Sequence, residues 1–112
     1  MRLKIIRADD EIQHVALSGR LDIQGVNEIQ YEFQQATTMV PKPTVVDLSK
    51  VTYIASLGIG MLVSAAKFIE RSGARMVLLS PSPLVGKTLE TSSLHQVIPI
   101  AHEEAAALAL LR

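Results

Sequence analysis

Apolar residues first alternate with polar ones and then recur every three or four positions, and this change of rhythm divides the chain into strands and helices. Leu3 and Ile5, then Ile12, His14 or Val15, and Leu17 form two alternating runs separated by Ala8-Asp9-Asp10-Glu11, which predicts a hairpin with an acidic turn. Gly19 is expected to stop the second strand. Val26, Ile29, Phe33, Ala36 and Val40 follow at helical spacing, with Glu28, Gln30, Glu32 and Gln34 turned outward and Pro41 and Pro43 ending the helix. Thr44-Val45-Val46-Asp47-Leu48 reads as a strand buried on both faces, with a tight connection from Ser49-Lys50. Ile59, Leu62, Val63, Ala66 and Ile69 give the face of a second helix, Leu57 to Arg71, stopped by Ser72-Gly73 before a strand from Arg75 to Leu79. Pro81-Ser82-Pro83 opens a third helix carrying Leu84, Val85, Thr88 and Leu89, Val97 to Ile100 is a brief extended run, and Glu103 to Leu111 is a last helix with acids at its front. The order β, β, α, β, α, β, α, β, α predicts an α/β fold, a mixed and mostly parallel sheet of about five strands packed by about four helices.

Composition narrows the class. A chain of 112 residues suits one domain, 1–112, with a single core and no second one. It is 48% hydrophobic with mean hydropathy +0.28, yet its apolar stretches break well before the length of a membrane span, so no membrane insertion is expected. The N-terminus resembles a strand more than a signal peptide and cysteine is absent, which makes the cytoplasm the default location. Eleven basic and eleven acidic residues cancel and are dispersed, and the only aromatic residues are Tyr31, Phe33, Tyr53 and Phe68; direct nucleic-acid binding is therefore not expected.

Ser56 is the residue with the most chemistry around it. It stands between the apolar approach Val45 to Ile54 and the helical run Leu57-Gly58-Ile59-Gly60-Met61-Leu62. A hydroxyl at the first residue of a helix faces solvent, and small glycines beside it leave room for another protein's backbone or active site, which suits a covalent switch. Serine is also a favoured helix N-cap, accepting from the N–H of Gly58 or Ile59, and that bland role competes with the switch. Other motifs fall short. Gly58-Ile59-Gly60 lacks the third glycine of a dinucleotide fingerprint, Val63 standing in its place, and no phosphate-loop lysine follows. Ser56-Leu57-Gly58 lacks the first glycine of a hydrolase elbow, where Ile54 stands, and although Glu70, Glu90, His95 and His102 could supply partners, the chain is too short for the usual sheet and cap. Ser64-Ala65-Ala66-Lys67 has none of its companion motifs, and His14, His95 and His102 have no metal-ligand spacing. No catalytic residue, metal or cofactor is assigned.

The string Val46-Asp47-Leu48-Ser49-Lys50-Val51-Thr52-Tyr53-Ile54-Ala55-Ser56-Leu57-Gly58-Ile59-Gly60-Met61-Leu62 resembles the signature of the STAS family, the domain of bacterial anti-sigma factor antagonists and of sulfate-transporter tails. Gly19-Arg20-Leu21-Asp22, Gly73-Ala74-Arg75-Met76-Val77-Leu78 and the later Val85, Leu89, Leu94 and Val97-Ile98-Pro99-Ile100 are similar to further family segments, so the resemblance covers nearly the whole chain. It implies that Ser56 is the phosphoacceptor and that Asp22 is the acidic position near it. It places Asp22, Ile54, Ala55, Leu57, Gly58, Ile59 and Gly60 at the partner-binding edge. Ala55 departs from the aspartate common before the serine, and Leu57 stands where a second hydroxyl is frequent. The function implied is that of a non-enzymatic anti-sigma factor antagonist. Unphosphorylated, it binds an anti-sigma factor with serine kinase activity and releases the sigma factor; the kinase, using its own ATP, phosphorylates Ser56, and a metal-dependent serine phosphatase reverses this. The alternative is a non-switching scaffold subunit of a lipid-transport or signalling complex, in which Ser56 only caps its helix.

Overall fold

The acidic turn forms because one carboxylate satisfies it. In the computed structural model, which describes residues 1–111, Asp9 accepts from the amides of Glu11 and Ile12, each at 2.9 Å, and from the Arg7 guanidinium at 2.6 Å. The Arg7 hydrogen bond, followed by those two amides, holds the Asp9 carboxyl at about 2, well below its usual value. The turn joins β1 (Arg2–Ala8) to β2 (Gln13–Leu21) as an antiparallel pair. Then come α1 (Ile23–Thr37), β3 (Thr44–Ile54), α2 (Ser56–Arg71), β4 (Met76–Leu79), α3 (Pro83–Thr91), a short 3-10 turn at Leu94–Gln96, β5 (Ile100–Ala101) and α4 (Glu104–Leu110). The strands lie side by side in chain order, β1-β2-β3-β4-β5, all parallel from β2 onward. The α/β class and the mixed sheet therefore match the sequence expectation.

Alternation along the central strands separates two cores. Val46 and Leu48 of β3 and Leu78 of β4 face α1, α2 and α3, meeting Val26, Ile29, Phe33, Leu62, Ile69, Val85 and Leu89. Val45 and Val77, one position along, face the other way and meet Ala101 and Ala107 under α4. Three helices thus cover one face, and α4 alone covers part of the other. No helix is long and apolar enough to cross a membrane among the described residues.

Four boundaries differ from the sequence expectation. Gly19 does not stop β2: at φ 110° it lets the strand continue to Leu21 across a register shift, a conformation that a side chain would strain. Nor does β3 end at Leu48. A second shift lies between the pairs Ala16↔Asp47 and Ser18↔Lys50, the Asp47 carboxylate takes the Ser49 amide at 2.8 Å, and buried Val51 and Ile54 hold the strand to its end. Helix α1 ends at Thr37, ahead of the prolines, and leaves Val40 exposed; the Gln13 side chain donates to the carbonyls of Thr37 and Val40 and seals that end. The run Val97 to Ile100 is largely irregular, with only Ile100–Ala101 paired as a strand, because Leu94 and Ile98 are buried by a tight turn rather than by a ladder.

Candidate functional site

Two distant sequence strings meet at the end of the parallel sheet. Through its two register shifts the β2–β3 ladder continues to Leu21↔Ile54, and the amide of Ala55 donates to the carbonyl of Leu21 at 3.0 Å. Gly19-Arg20-Leu21-Asp22 is therefore the wall against which Ala55-Ser56-Leu57-Gly58 is built. Gly58 belongs to this contact. A Cβ there would lie 2.7 Å from Leu21 Cγ and 2.8 Å from Leu21 O, so only glycine lets α2 start so close to β2. Gly60 is different, because a Cβ on it would meet nothing.

Ala55 is the N-cap of α2 and has no side chain that could cap, so Ser56 is the first helical residue and its hydroxyl is exposed. The expected alternative role for Ser56 as the cap is corrected by this geometry: the capping position falls one residue earlier, on alanine. An uncapped helix start offers free amides and the positive end of the helix dipole to an anion. Across the same junction Asp22 caps α1, accepting from the Gly25 amide at 2.8 Å. That bond, reinforced by Arg20, lowers the Asp22 carboxyl below its usual value. Arg20 binds Asp22 at 3.3 Å and lies 4.4 Å over the ring of Tyr53.

Ser56 and the first turns of α2 form a ridge between two clefts. One, of about 520 Å³, runs between α1 and α2 and is lined by Phe33, Leu57, Gly60, Met61, Ser64 and Phe68 among others. The other, of about 500 Å³, lies between the end of β3 and α3, with Tyr53, Ile59, Leu84, Lys87 and Thr88. Leu57 and Phe68 are exposed, an apolar pair on an otherwise polar helix surface. The expected phosphoacceptor Ser56 is exposed; of the residues expected at the partner-binding edge, Leu57 and Gly60 are exposed and Ala55, Ile59 and Asp22 are half-buried. Ile54 and Gly58 require correction. They are buried, Gly58 against Leu21 and Ile54 in the core, where it backs the wall of the second cleft, so they shape the edge mainly from beneath.

Arg20, Tyr53 and Lys87 were missed in the sequence. Arg20 and Tyr53 meet only through the shifted β2–β3 register, and Lys87 arrives from a helix far along the chain; no local spacing signals either. Ser64 of the Ser64–Lys67 string lines the first cleft, whereas other discarded candidates lie apart from this site. His95 and Glu70 border a separate cavity, and buried His14 lies 3.6 Å from Glu104 on the opposite face of the sheet. Among the described residues no three His, Cys, Asp or Glu side chains gather as metal ligands.

A mixed five-stranded sheet with helices on both faces and an exposed serine at the β3–α2 junction defines a small α/β domain. The family model described as "Mlab, STAS domain" matches residues 6–100, and the chain belongs to the STAS domain family, whose antagonists are regulatory and non-catalytic. An anti-sigma F factor antagonist of Paenibacillus polymyxa is 28% identical over 95 residues, covering 84% of this chain and 81% of the relative. An anti-sigma-factor antagonist (STAS) domain protein of Planctomyces limnophilus superposes with a TM-score of 0.80 at 24% identity, covering 96% and 95% of the two chains. The anti-sigma factor antagonist SpoIIAA in its unphosphorylated form gives a TM-score of 0.75 at 24% identity, covering 97% and 96%.

Proposed function

We propose that the chain is an anti-sigma factor antagonist switched by phosphorylation of Ser56. In the unmodified form the ridge at Ser56 and the apolar cleft beside Leu57 and Gly60 dock an anti-sigma factor with serine kinase activity, which releases its sigma factor. The observation that carries this reading is the exposed Ser56 hydroxyl at an uncapped helix start between two clefts. A phosphate there adds about two negative charges, which the free amides and dipole of α2 tolerate. A docked partner meets the same charge inside a partly dry interface, and weakening it tenfold takes only about 1.4 kcal/mol. A metal-dependent serine phosphatase would return the domain to its docking form. The relatives support this reading by name, and SpoIIAA has also been solved in a phosphorylated form.

Ala55 favours a second reading. It removes the acid that often precedes the serine in this family, and a scaffold subunit of a lipid-transport or signalling complex would need no kinase recognition there. In that reading Ser56 is a contact residue, since it is not the cap. Mass spectrometry after incubation with the cognate kinase and ATP separates the two. A single added phosphate that disappears in Ser56→Ala is the expected result; an unmodified chain that still holds its partner supports the scaffold.

A further inference from the structure

We propose that the free edge of β1 accepts an extended acidic segment of a partner protein as an added strand, independently of the state of Ser56. β1 is the outermost strand on its side and pairs only with β2, so every second N–H and C=O along it lacks a strand partner. The opposite edge, β5, is two residues long. The side chains of β1 sort by face. Arg2 and Lys4 pair with Ser18 and Ala16, and thus point to the face that α4 leaves uncovered; Lys50, across Ser18 on β3, adds a third cation to the same face, and Asp47, across Ala16, adds one anion farther from the edge. Arg2 and Lys4 make no ion pair among the described residues, whereas Arg7, beyond the register shift that follows Ile5, is held by Asp9.

The other face of β1 is apolar and incomplete. Leu3 packs on the core beside Leu17, but Ile5, opposite buried Val15, is 56% exposed. An incoming strand along Arg2 to Ile5 would therefore place acidic side chains beside Arg2 and Lys4 and apolar ones beside Leu3 and Ile5. Alternating acidic and apolar residues are the chemistry this edge selects. A second copy of β1 is disfavoured, since its own Arg2 and Lys4 would face these cations. Nucleic acid fits less well, because β1 has no aromatic residue to stack a base.

The test uses the whole chain, isotope-labelled, and a synthetic capped peptide of alternating glutamate and valine in large excess. Slowed amide exchange confined to β1 is expected, with no effect from a lysine–valine peptide and roughly tenfold weaker binding to Lys4→Glu. Lys4 is exposed, and circular dichroism of that variant checks its fold; loss of binding with added salt is the parallel readout on the native sequence. Unchanged β1 exchange, equal binding by Lys4→Glu, or peptide shifts at the Ser56 clefts would overturn the proposal. So would equal protection of β1 by polyuridylate RNA or by anionic phospholipid vesicles, or a concentration-dependent dimer that buries β1.

Discussion

At the scale of single residues, two glycines that look alike in the sequence do different work. Gly58 is demanded by its own fold, because a methyl group would collide with the side chain and carbonyl of Leu21. Gly58→Ala is expected to cost about 1–3 kcal/mol, read as a lower melting temperature. Gly60 meets nothing within the chain, so Gly60→Ala should instead gain about 0.5–1 kcal/mol of helix stability. If a partner's backbone approaches α2 there, the same substitution weakens docking while it raises the melting temperature, and calorimetry beside a binding titration reads both. Ala55 makes a related point. Replacing it with aspartate supplies the missing cap and is expected to stabilise the domain by about 1 kcal/mol. The exposure of Ser56 was legible in its position before a helical run. Its failure to cap was not, because the helix start depends on where β3 lets go, which is a matter of tertiary register.

Elements show where periodicity stops being informative. The helical faces of α1 and α2 follow from their spacing, since burial at every third or fourth residue leaves little choice. Ser49-Lys50 look like a turn in the sequence, and only pairing with the shifted β2 carries β3 through them. The same limit hid Arg20 and Tyr53. Turns and caps also set the acid response. Asp9 and Asp22 both have carboxyls lowered in the folded state, Asp9 to about 2, by hydrogen bonds that the unfolded chain lacks. For Asp9 the lowered folded value means that its stabilisation is present above about pH 4 and is lost as pH falls through the folded value near 2; Asp22 acts in the same direction. Asp9→Asn should therefore show a flatter loss of melting temperature than the native chain from about pH 5 down to about pH 2. An identical slope would mean that the turn carboxylate does not couple to folding.

For the whole molecule, strand order and the uneven covering of the sheet matter most. The β, β, α, β order made a mostly parallel sheet legible, because a parallel neighbour requires a crossover and a hairpin does not. That α4 would stand alone on the second face was not legible, since an alanine-rich helix can pack on either side. The outcome is a domain of zero formal charge whose two proposed docking features are segregated: clefts at one end of the helical layer and the free edge of β1. A charge added at the exposed ridge should leave the two cores untouched. Ser56→Asp is accordingly expected to keep the circular-dichroism spectrum and melting temperature of the native chain while binding its partner less tightly; unfolding would show that the α2 start cannot hold an anion.

The most direct measurement is the affinity of the anti-sigma factor kinase for the unmodified chain and for the chain phosphorylated at Ser56, taken with the melting temperature of each. A loss of affinity of roughly tenfold or more with unchanged melting is the expected result. Equal affinity of the two forms, or a phosphorylated form that melts far earlier, would contradict a switch worked by charge on an intact surface.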